Sequence, residues 1–594
     1  MSSSSTPSAG AVSLAGNAST VVIVGGGVAG LSAAVDLCDP LKYAKGAPRP
    51  KVILYELLPK VGGNVRSVSL EVEQTMSATP TTLRASYDTG ALQAFSWYAN
   101  LYDLARRVQV SPTLIRPFVI DPPLQFQTKP DVCQYLNEKD WIRRIIPAKE
   151  DVMLLASKGV DVLTCPKEAL SFYQPVPSGY TTGASATTSL ADFLGDTPRL
   201  RDLAGTNTTS YTYGNSTEIT AYSLLSMQMR PSDNQSSCYG RIDQITEAMR
   251  AFVTTNGGQI ITDRAVEGIY TATKQVVFAP TTPDPSLTLA TLSSSSSLPV
   301  VPEPQSYDEV ILASPLGTVK IDGVHIANQV SQVDIQSTSP QYRYTRYLSV
   351  CFQLNKLPSA ADADATQPGT RDPRWTALFD IPSDQDNHGQ PEVRSFLNLG
   401  LLPGLSGYVL AYVVVPESVD MPTLANDHDR LMQLVNKVAF FQEIRKTQDC
   451  FVEAVVYVEQ FPHTMAVLNH AMRRWLQQNT GLNHIHFAGA WQAAFPGMEA
   501  ACFSGRSVAA RIQGTYDDYM TSMRKLDDQY VDKFRSGAQL LPSSVTATTD
   551  KVHGASDARV NPVGAAATTA AAASSSGHHH PCCCCCQQHR CKTC

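Results

Sequence analysis

The clearest hydrophobic pattern lies near the start of the chain. Val21 to Val24 is an unbroken apolar run, glycines follow, and Leu31, Ala34, Val35 and Leu37 then recur at helical spacing. Lys51 to Glu56 reads as a second apolar strand that ends on an acid. The pattern predicts a β-α-β unit. Glu309 to Leu312 reads as a further buried strand, closed by Ala313-Ser314-Pro315-Leu316. Near the other end, Tyr516, Tyr519, Met520, Met523, Leu526, Tyr530 and Phe534 share one helical face, so 515–536 is expected to be an amphipathic helix docked on the body. Residues 1–19 lack charge and periodicity and are expected to be a disordered leader. The Ala-, Thr- and Ser-rich stretch 537–594 contains no aromatic residue and is expected to be an unfolded, Cys-rich tail. Segments near 285–305 and 358–372 read as surface insertions.

Composition narrows the class of protein. A chain of 594 residues has room for two or three domains, and 43% hydrophobic residues is a globular composition. No apolar stretch approaches the roughly 20 residues of a membrane-spanning helix. With 47 Lys plus Arg against 53 Asp plus Glu, nothing draws the chain to nucleic acid. No secretory signal is readable, so a reducing, cytoplasmic setting is expected. There the scattered cysteines would be buried free thiols and the Asn-x-Ser/Thr sequons incidental.

The chemistry starts at Gly25-Gly26-Gly27-Val28-Ala29-Gly30, a G-x-G-x-x-G directly behind a strand and leading into a helix. Gly25 permits the tight turn, Gly27 lets backbone approach a pyrophosphate, and Gly30 allows close helix packing. Free N–H groups and the helix dipole receive the negative charge. Glu56, twenty-six residues past Gly30, is placed to accept hydrogen bonds from ribose hydroxyls. A glycine turn that binds nothing is the competing account, and the agreement of strand, turn, helix and terminal acid weighs against it.

Beyond Glu56, the run Leu57-Leu58-Pro59-Lys60-Val61-Gly62-Gly63-Asn64-Val65-Arg66 resembles the second signature of the flavin-dependent amine oxidase and phytoene desaturase-like superfamily. That resemblance implies FAD rather than NAD. Gly62 and Gly63 would bring backbone to the pyrophosphate, and Arg66 would stand near the phosphates or the flavin. Asn64 occupies a position that is often Arg in the family. Asp88-Thr89-Gly90-Ala91 resembles a turn that approaches the flavin. Far downstream, His486-Phe487-Ala488-Gly489 and Phe495-Pro496-Gly497-Met498-Glu499-Ala500 resemble the last FAD motif, with Gly489 in the turn and Met498 offering backbone to the flavin. The small residues behind Met498 suit packing on a sheet or on the cofactor. Tyr239 to Asp243 and the strand at Val266 resemble the return into the FAD domain, with Val266 against the adenine.

The resemblance covers about 20–512 and implies an α/β fold, a Rossmann-like FAD-binding domain of glutathione reductase type with an α+β substrate domain. The FAD-binding part would be discontinuous, 20–100, 236–324 and 476–514, and the substrate domain would take 101–235 and 325–475. The implied activity is that of an oxidase or a dehydrogenase/desaturase, taking hydride from an unidentified small organic substrate and passing electrons to oxygen or a quinone. With no second G-x-G-x-x-G and no Cys-x-x-Cys in the body, a disulfide reductase is disfavoured.

Departures from the family pattern qualify this picture. Gly497 replaces an aromatic residue that amine-oxidising members often carry, Ser349 falls where many have a lysine, and neither Cys450 nor Cys502 suits covalent attachment. FAD is therefore expected to be noncovalent, and the substrate bulky or apolar. Ala490-Trp491 removes one polar partner for the cofactor. An amine oxidase proper and a noncatalytic flavin-binding scaffold remain alternatives. His484 and His486 read either as core residues or as groups that tune the flavin. No side chain is nominated as catalytic and no metal site is expected. In the tail, His578 to His580, Cys582 to Cys586, Cys591 and Cys594 leave open acylation with peripheral membrane attachment, soft-metal binding, or low-complexity sequence.

Overall fold

The computed structural model describes residues 19–74, 81–110, 172–173, 241–280, 302–331, 343–356, 389–399, 404–438, 449–492 and 497–539, apart from single positions within these, together with a few isolated short pieces. Most of the leader, the insertion at 358–372, most of 101–235, Tyr239-Gly240, Pro496 and the His- and Cys-rich tail lie outside the described residues.

In chain order, the first part comprises β1 (Thr20–Val24), α1 (Val28–Cys38), β2 (Lys51–Tyr55), β3 (Ser67–Gln74), β4 (Thr81–Asp88) and α2 (Ala99–Arg107). Then come α3 (Asp243–Thr255), β5 (Gln259–Ile261), β6 (Val266–Tyr270), β7 (Gln275–Phe278) and β8 (Glu309–Leu312). A second group holds β9 (Tyr347–Leu354), β10 (Ala377–Phe379), β11 (Glu392–Asn398), β12 (Tyr408–Val414), α4 (Met421–Asn426), α5 (His428–Asn436) and β13 (Val452–Phe461). The chain closes with β14 (Ile485–Phe487), α6 (Met498–Ile512) and α7 (Tyr516–Gln539), the last helix running three residues past 536.

A five-stranded parallel sheet, in the order β14-β8-β1-β2-β5, gathers strands from three distant parts of the chain. Its central strands have apolar side chains on both faces because both faces are covered. On one of them α1 is buried on every side, which is why its sequence is apolar or small almost throughout. Gly505 of α6 has no room for a Cβ, since one there would overlap the Ala29 carbonyl oxygen. The small residues of α6 thus serve close packing against α1, where the sequence suggested a sheet or the cofactor. Asp36, buried on α1, receives Arg506 of α6 at 3.2 Å and Arg107 of α2 at 3.1 Å, so one acid ties three helices together. Arg506 also bonds Asp103 at 2.8 Å and lies over the Tyr519 ring of α7.

The second sheet is antiparallel, in the order β10-β11-β12-β9-β13. β9 alternates strictly. Leu348, Val350, Phe352 and Leu354 share an apolar cluster with Leu424 of α4 and Leu431 and Val435 of α5. Tyr347 and Cys351 face the other way, into a cluster with Tyr412, Phe461, Ala85 and Tyr87. The β3–β4 hairpin contributes the last two of these, and Val68, Leu70 and Val72 pack on the same cluster. A strand pair from the first part of the chain therefore covers the second sheet. The arrangement is an α/β fold with a Rossmann-like domain and an α+β second domain. Among the described residues, no helix is long and apolar enough to cross a membrane, and no group of His, Cys, Asp or Glu converges to hold a metal.

Candidate cofactor site

Two glycine turns meet at the C-terminal ends of β1 and β2. Gly25 leaves β1 at φ +106°, a left-handed conformation that favours glycine, and its N–H donates to the Tyr55 carbonyl at 2.8 Å. Gly30 lies in the first turn of α1, where a Cβ would overlap the Gly25 carbonyl oxygen. Gly62 and Gly63 both have positive φ, 124° and 60°. The Gly62 N–H donates to the Gly26 carbonyl at 2.8 Å, which forms a bridge between Gly27 and Gly62.

Gly27 differs from its neighbours. It has ordinary extended backbone, φ −69° and ψ 179°, and a Cβ placed on it would meet only Gly63 Cα, at 3.9 Å. Among the described residues, nothing requires glycine there. Backbone on both sides of this point is bare, so it can come directly against a ligand.

Glu56 follows β2 and is 8% exposed. Its Oε2 accepts the Gly26 N–H at 2.6 Å and its Oε1 the Leu58 N–H at 2.9 Å. A carboxylate offers about four acceptor positions, so two remain for ribose hydroxyls. The Arg264 N–H donates to the Glu56 carbonyl at 2.9 Å, which sets Val266 and β6 beside this strand end.

The late segment approaches from the other side. The Gly489 N–H donates to Ser504 Oγ at 2.7 Å. The Trp491 indole occupies the space that a Cβ on Gly489 would take, so this glycine is explained by its own neighbour. Met498 opens α6 and belongs to the same apolar cluster as Val28, Ala29, Val61 and Val65. As a first-turn residue it carries an N–H with no acceptor inside the helix. The structure thus brings the Gly25–Gly30 turn, Glu56, Gly62 and Gly63 into one region, with Val266 two residues past the Arg264–Glu56 bond and α6 packed against α1 through Gly505 and Ala29.

Arg66 is engaged elsewhere. Its Nε donates to the Gly63 carbonyl at 2.9 Å, its Nη1 pairs with Glu459 of β13, and its guanidinium lies 5.0 Å from the centre of the Phe461 ring. Tyr457 Oη donates to the other oxygen of Glu459 at 2.5 Å. Asn64 Nδ2 donates to the carbonyls of His463 and Thr464, both at 3.2 Å. The turn after the glycine pair is therefore clasped to the second sheet. Sequence reasoning named neither Glu459 nor this use of Asn64.

Glu499, also unremarked in the sequence, is fully buried. It accepts Asn100 N–H at 3.0 Å, Asn100 Nδ2 at 2.9 Å, Leu101 N–H at 3.0 Å and Tyr173 Oη at 2.6 Å. Burial pushes its pKa up, against the pull of these bonds.

His484 and His486 both bond Glu309, at 2.8 and 2.9 Å. Burial pushes the Glu309 carboxyl up, but the two imidazoles outweigh it and leave its pKa below the usual value. A folded pKa below the unfolded one means that the carboxylate stabilises fully above the ordinary glutamate range. That contribution drains away as pH falls below about 4.3 and through the lowered value. Glu309→Gln is expected to lower the melting temperature at neutral pH and to flatten this acid limb. Melts from about pH 3 to about pH 7 check it, and an unchanged acid limb would remove Glu309 from the account.

Together, the parallel sheet and the two glycine turns at the ends of β1 and β2 define the class, a Rossmann-like fold. The model of the NAD(P)-binding Rossmann-like domain matches residues 23–108. That of flavin containing amine oxidoreductases matches residues 188–513, more than half of the chain. The chain belongs to the family of flavin-containing amine oxidoreductases. A search of curated proteins gave no match. Among solved structures, the chain is similar to the CLA-producing fatty acid isomerase from P. acnes, with TM-score 0.51 and 12% identity over 83% of this chain and 98% of that one. Cyclohexylamine oxidase from Brevibacterium oxydans IH-35A gives TM-score 0.46 and 15% identity over 84% and 100%. A putrescine oxidase triple mutant with redesigned cofactor binding gives 0.49 and 12% over 85% and 99%. The likeness to the isomerase concerns the fold. By family, the protein is an oxidoreductase that uses a flavin.

Proposed function

We propose that the flavin is FAD, held noncovalently, and that the enzyme takes hydride from a small organic substrate and passes the electrons to oxygen or a quinone. The observation that carries this reading is the bare approach of Gly27 to Gly63 beside Glu56. In it, Glu56 binds the ribose hydroxyls, the first turn of α1 with Gly62 and Gly63 faces the pyrophosphate, and Val266 borders the adenine. Gly489, through Ser504, fixes the turn ahead of α6, and the Met498 N–H supports the flavin ring. The bound cofactor supplies the hydride acceptor. Arg66 acts in this reading by holding the Gly63 turn to β13 rather than by touching phosphate.

Noncovalent attachment has support from the thiols. Cys38 and Cys351 are buried and pushed up to about 12, and burial likewise raises Cys450 and Cys502. A neutral, enclosed thiol is a poor nucleophile. Ser349 is fully buried on the face of β9 toward the hairpin and offers no base.

The purified protein is expected to be yellow, with absorbance near about 450 nm, and acid precipitation is expected to leave the flavin in the supernatant. Flavin retained in the pellet would overturn noncovalent binding. Colourless protein that takes up no added FAD would overturn the reading as a whole.

A further inference from the structure

The outer face of the β3–β4 hairpin borders a cavity of about 520 Å³. Strand alternation explains its character. Val68, Leu70, Ala85 and Tyr87 turn toward the second sheet, which leaves Ser67, Ser69 and Ser86 on the opposite face. The Ser69 and Ser86 hydroxyls lie 2.8 Å apart, and Ser67 Oγ donates to Asp88. Three cations reach the cavity, Lys60 from the loop after β2, Arg84 from β4 and Arg241 from the turn ahead of α3.

The charges do not cancel. Asp243 also lines the cavity and pairs with Arg241 at 3.4 Å, and Glu71 stands opposite Arg84 in the strand ladder. Even so, among the described residues neither Lys60 nor Arg84 has a carboxylate within ion-pair distance. A chain of net charge −6 has no general excess of cations to account for this. Among the described residues, no apolar or aromatic side chain lines the cavity, and its hydroxyl, cationic and carboxylate groups suit a polar ligand. Hydroxyls and guanidinium or ammonium groups around a concave polar space suit phosphate oxygens. The volume exceeds the needs of a lone ion and falls in the range of small-molecule sites.

We propose that this cavity binds a phosphorylated, otherwise polar small molecule. The site is separate from the cofactor cradle, since none of Gly25, Gly27, Gly30, Glu56, Gly62 or Gly63 lines it. It also lies on the hairpin whose first strand follows Arg66 directly, so a ligand here bears on the segment that clasps the glycine pair to β13.

Isothermal titration of FAD-saturated protein with sodium pyrophosphate tests it, with inorganic phosphate as a second titrant. One saturable site is expected, tighter for pyrophosphate and weakened by added NaCl. Lys60→Ala and Arg84→Ala are each expected to weaken it about tenfold or more, whereas Arg106→Ala, an exposed cation on α2, is expected to change nothing. Lys60 and Arg84 are both exposed, so their variants should fold, and melting temperatures check that. Lys60→Glu is a second variant expected to abolish binding. No saturable heat, or wild-type binding in the Lys60 and Arg84 variants, would overturn the site. In flavin-free protein the same variants, and not Gly27→Ala, must lose the binding. The reverse pattern would place the pyrophosphate in the FAD cradle and overturn the proposal without touching the flavin assignment.

Discussion

Gly30→Ala is expected to destabilise the fold strongly, whereas Gly27→Ala is expected to spare the fold and weaken the binding of the flavin. The two glycines are three residues apart in one motif, yet they are glycine for different reasons. A Cβ on Gly30 would overlap the Gly25 carbonyl oxygen, and Ala313 Cβ would stand only 3.3 Å away. Relief would require α1 to move, but α1 is buried all round and Gly505 already brings α6 onto the Ala29 carbonyl. Overpacking of this kind costs about 3 kcal/mol or more, from a total of about 5 to 15. At Gly27 the backbone suits any residue, and the nearest neighbour of an added Cβ is at ordinary contact distance. The fold loses less than about 1 kcal/mol through the poorer helix cap. What the methyl does obstruct is the approach of a pyrophosphate, and FAD affinity should fall about tenfold or more. Melting curves and FAD titrations of both variants decide the matter. Undiminished FAD affinity in Gly27→Ala would remove the pyrophosphate from this turn, and a wild-type melt for Gly30→Ala would refute the packing argument.

The same contrast shows what a sequence can disclose. The strand, glycine turn, helix and terminal acid of 20–56 are legible because each is fixed by neighbours a few residues away. The closing helix is likewise visible from its one-sided apolar face. Partners from distant segments are not. Asn64 and Arg66 reach Thr464 and Glu459 some 400 positions on, and nothing local distinguishes a guanidinium that meets phosphate from one that meets a carboxylate. Gly489 resembles a cofactor glycine, but Trp491 two residues later accounts for its missing side chain, and the direction of an indole cannot be read from its spacing. His484 and His486 read, by spacing alone, as alternating strand residues. In the structure His484 precedes β14 at φ 63°, and both reach Glu309 because β8 and β14 pair in parallel, Val310 beside Ile485. A single acid opening an otherwise apolar strand is the signal that could have found this pairing.

Glu499→Ala is expected to destabilise the protein by about 4 kcal/mol, because Glu499 caps a helix other than its own. The first N–H groups of α2 have no acceptors inside that helix, and Tyr98 at its N-cap makes no side-chain hydrogen bond to them. Glu499, in the first turn of α6, accepts from Asn100 and Leu101 instead, and holds the Asn100 amide and the Tyr173 hydroxyl as well. Alanine would leave four buried donors without their acceptor, each at about 1 to 3 kcal/mol, reduced where Asn100 Nδ2 keeps its contact with Met523 Sδ at 3.4 Å. A glutamine side chain at this position would keep one carbonyl for two donors and turn an NH2 toward the others, so Glu499→Gln should cost roughly half as much. Burial lifts the folded pKa of Glu499 above its unfolded value. Its contribution is therefore full below the ordinary glutamate range and declines as pH rises from about 4.3 through the raised value. The penalty of Glu499→Gln should accordingly shrink as pH rises above the ordinary glutamate range, which denaturant titrations across a pH series can measure. Because Met498 adjoins this cap, FAD affinity should fall with it. An Ala variant within about 1 kcal/mol of wild type would show that α2 is capped by something else.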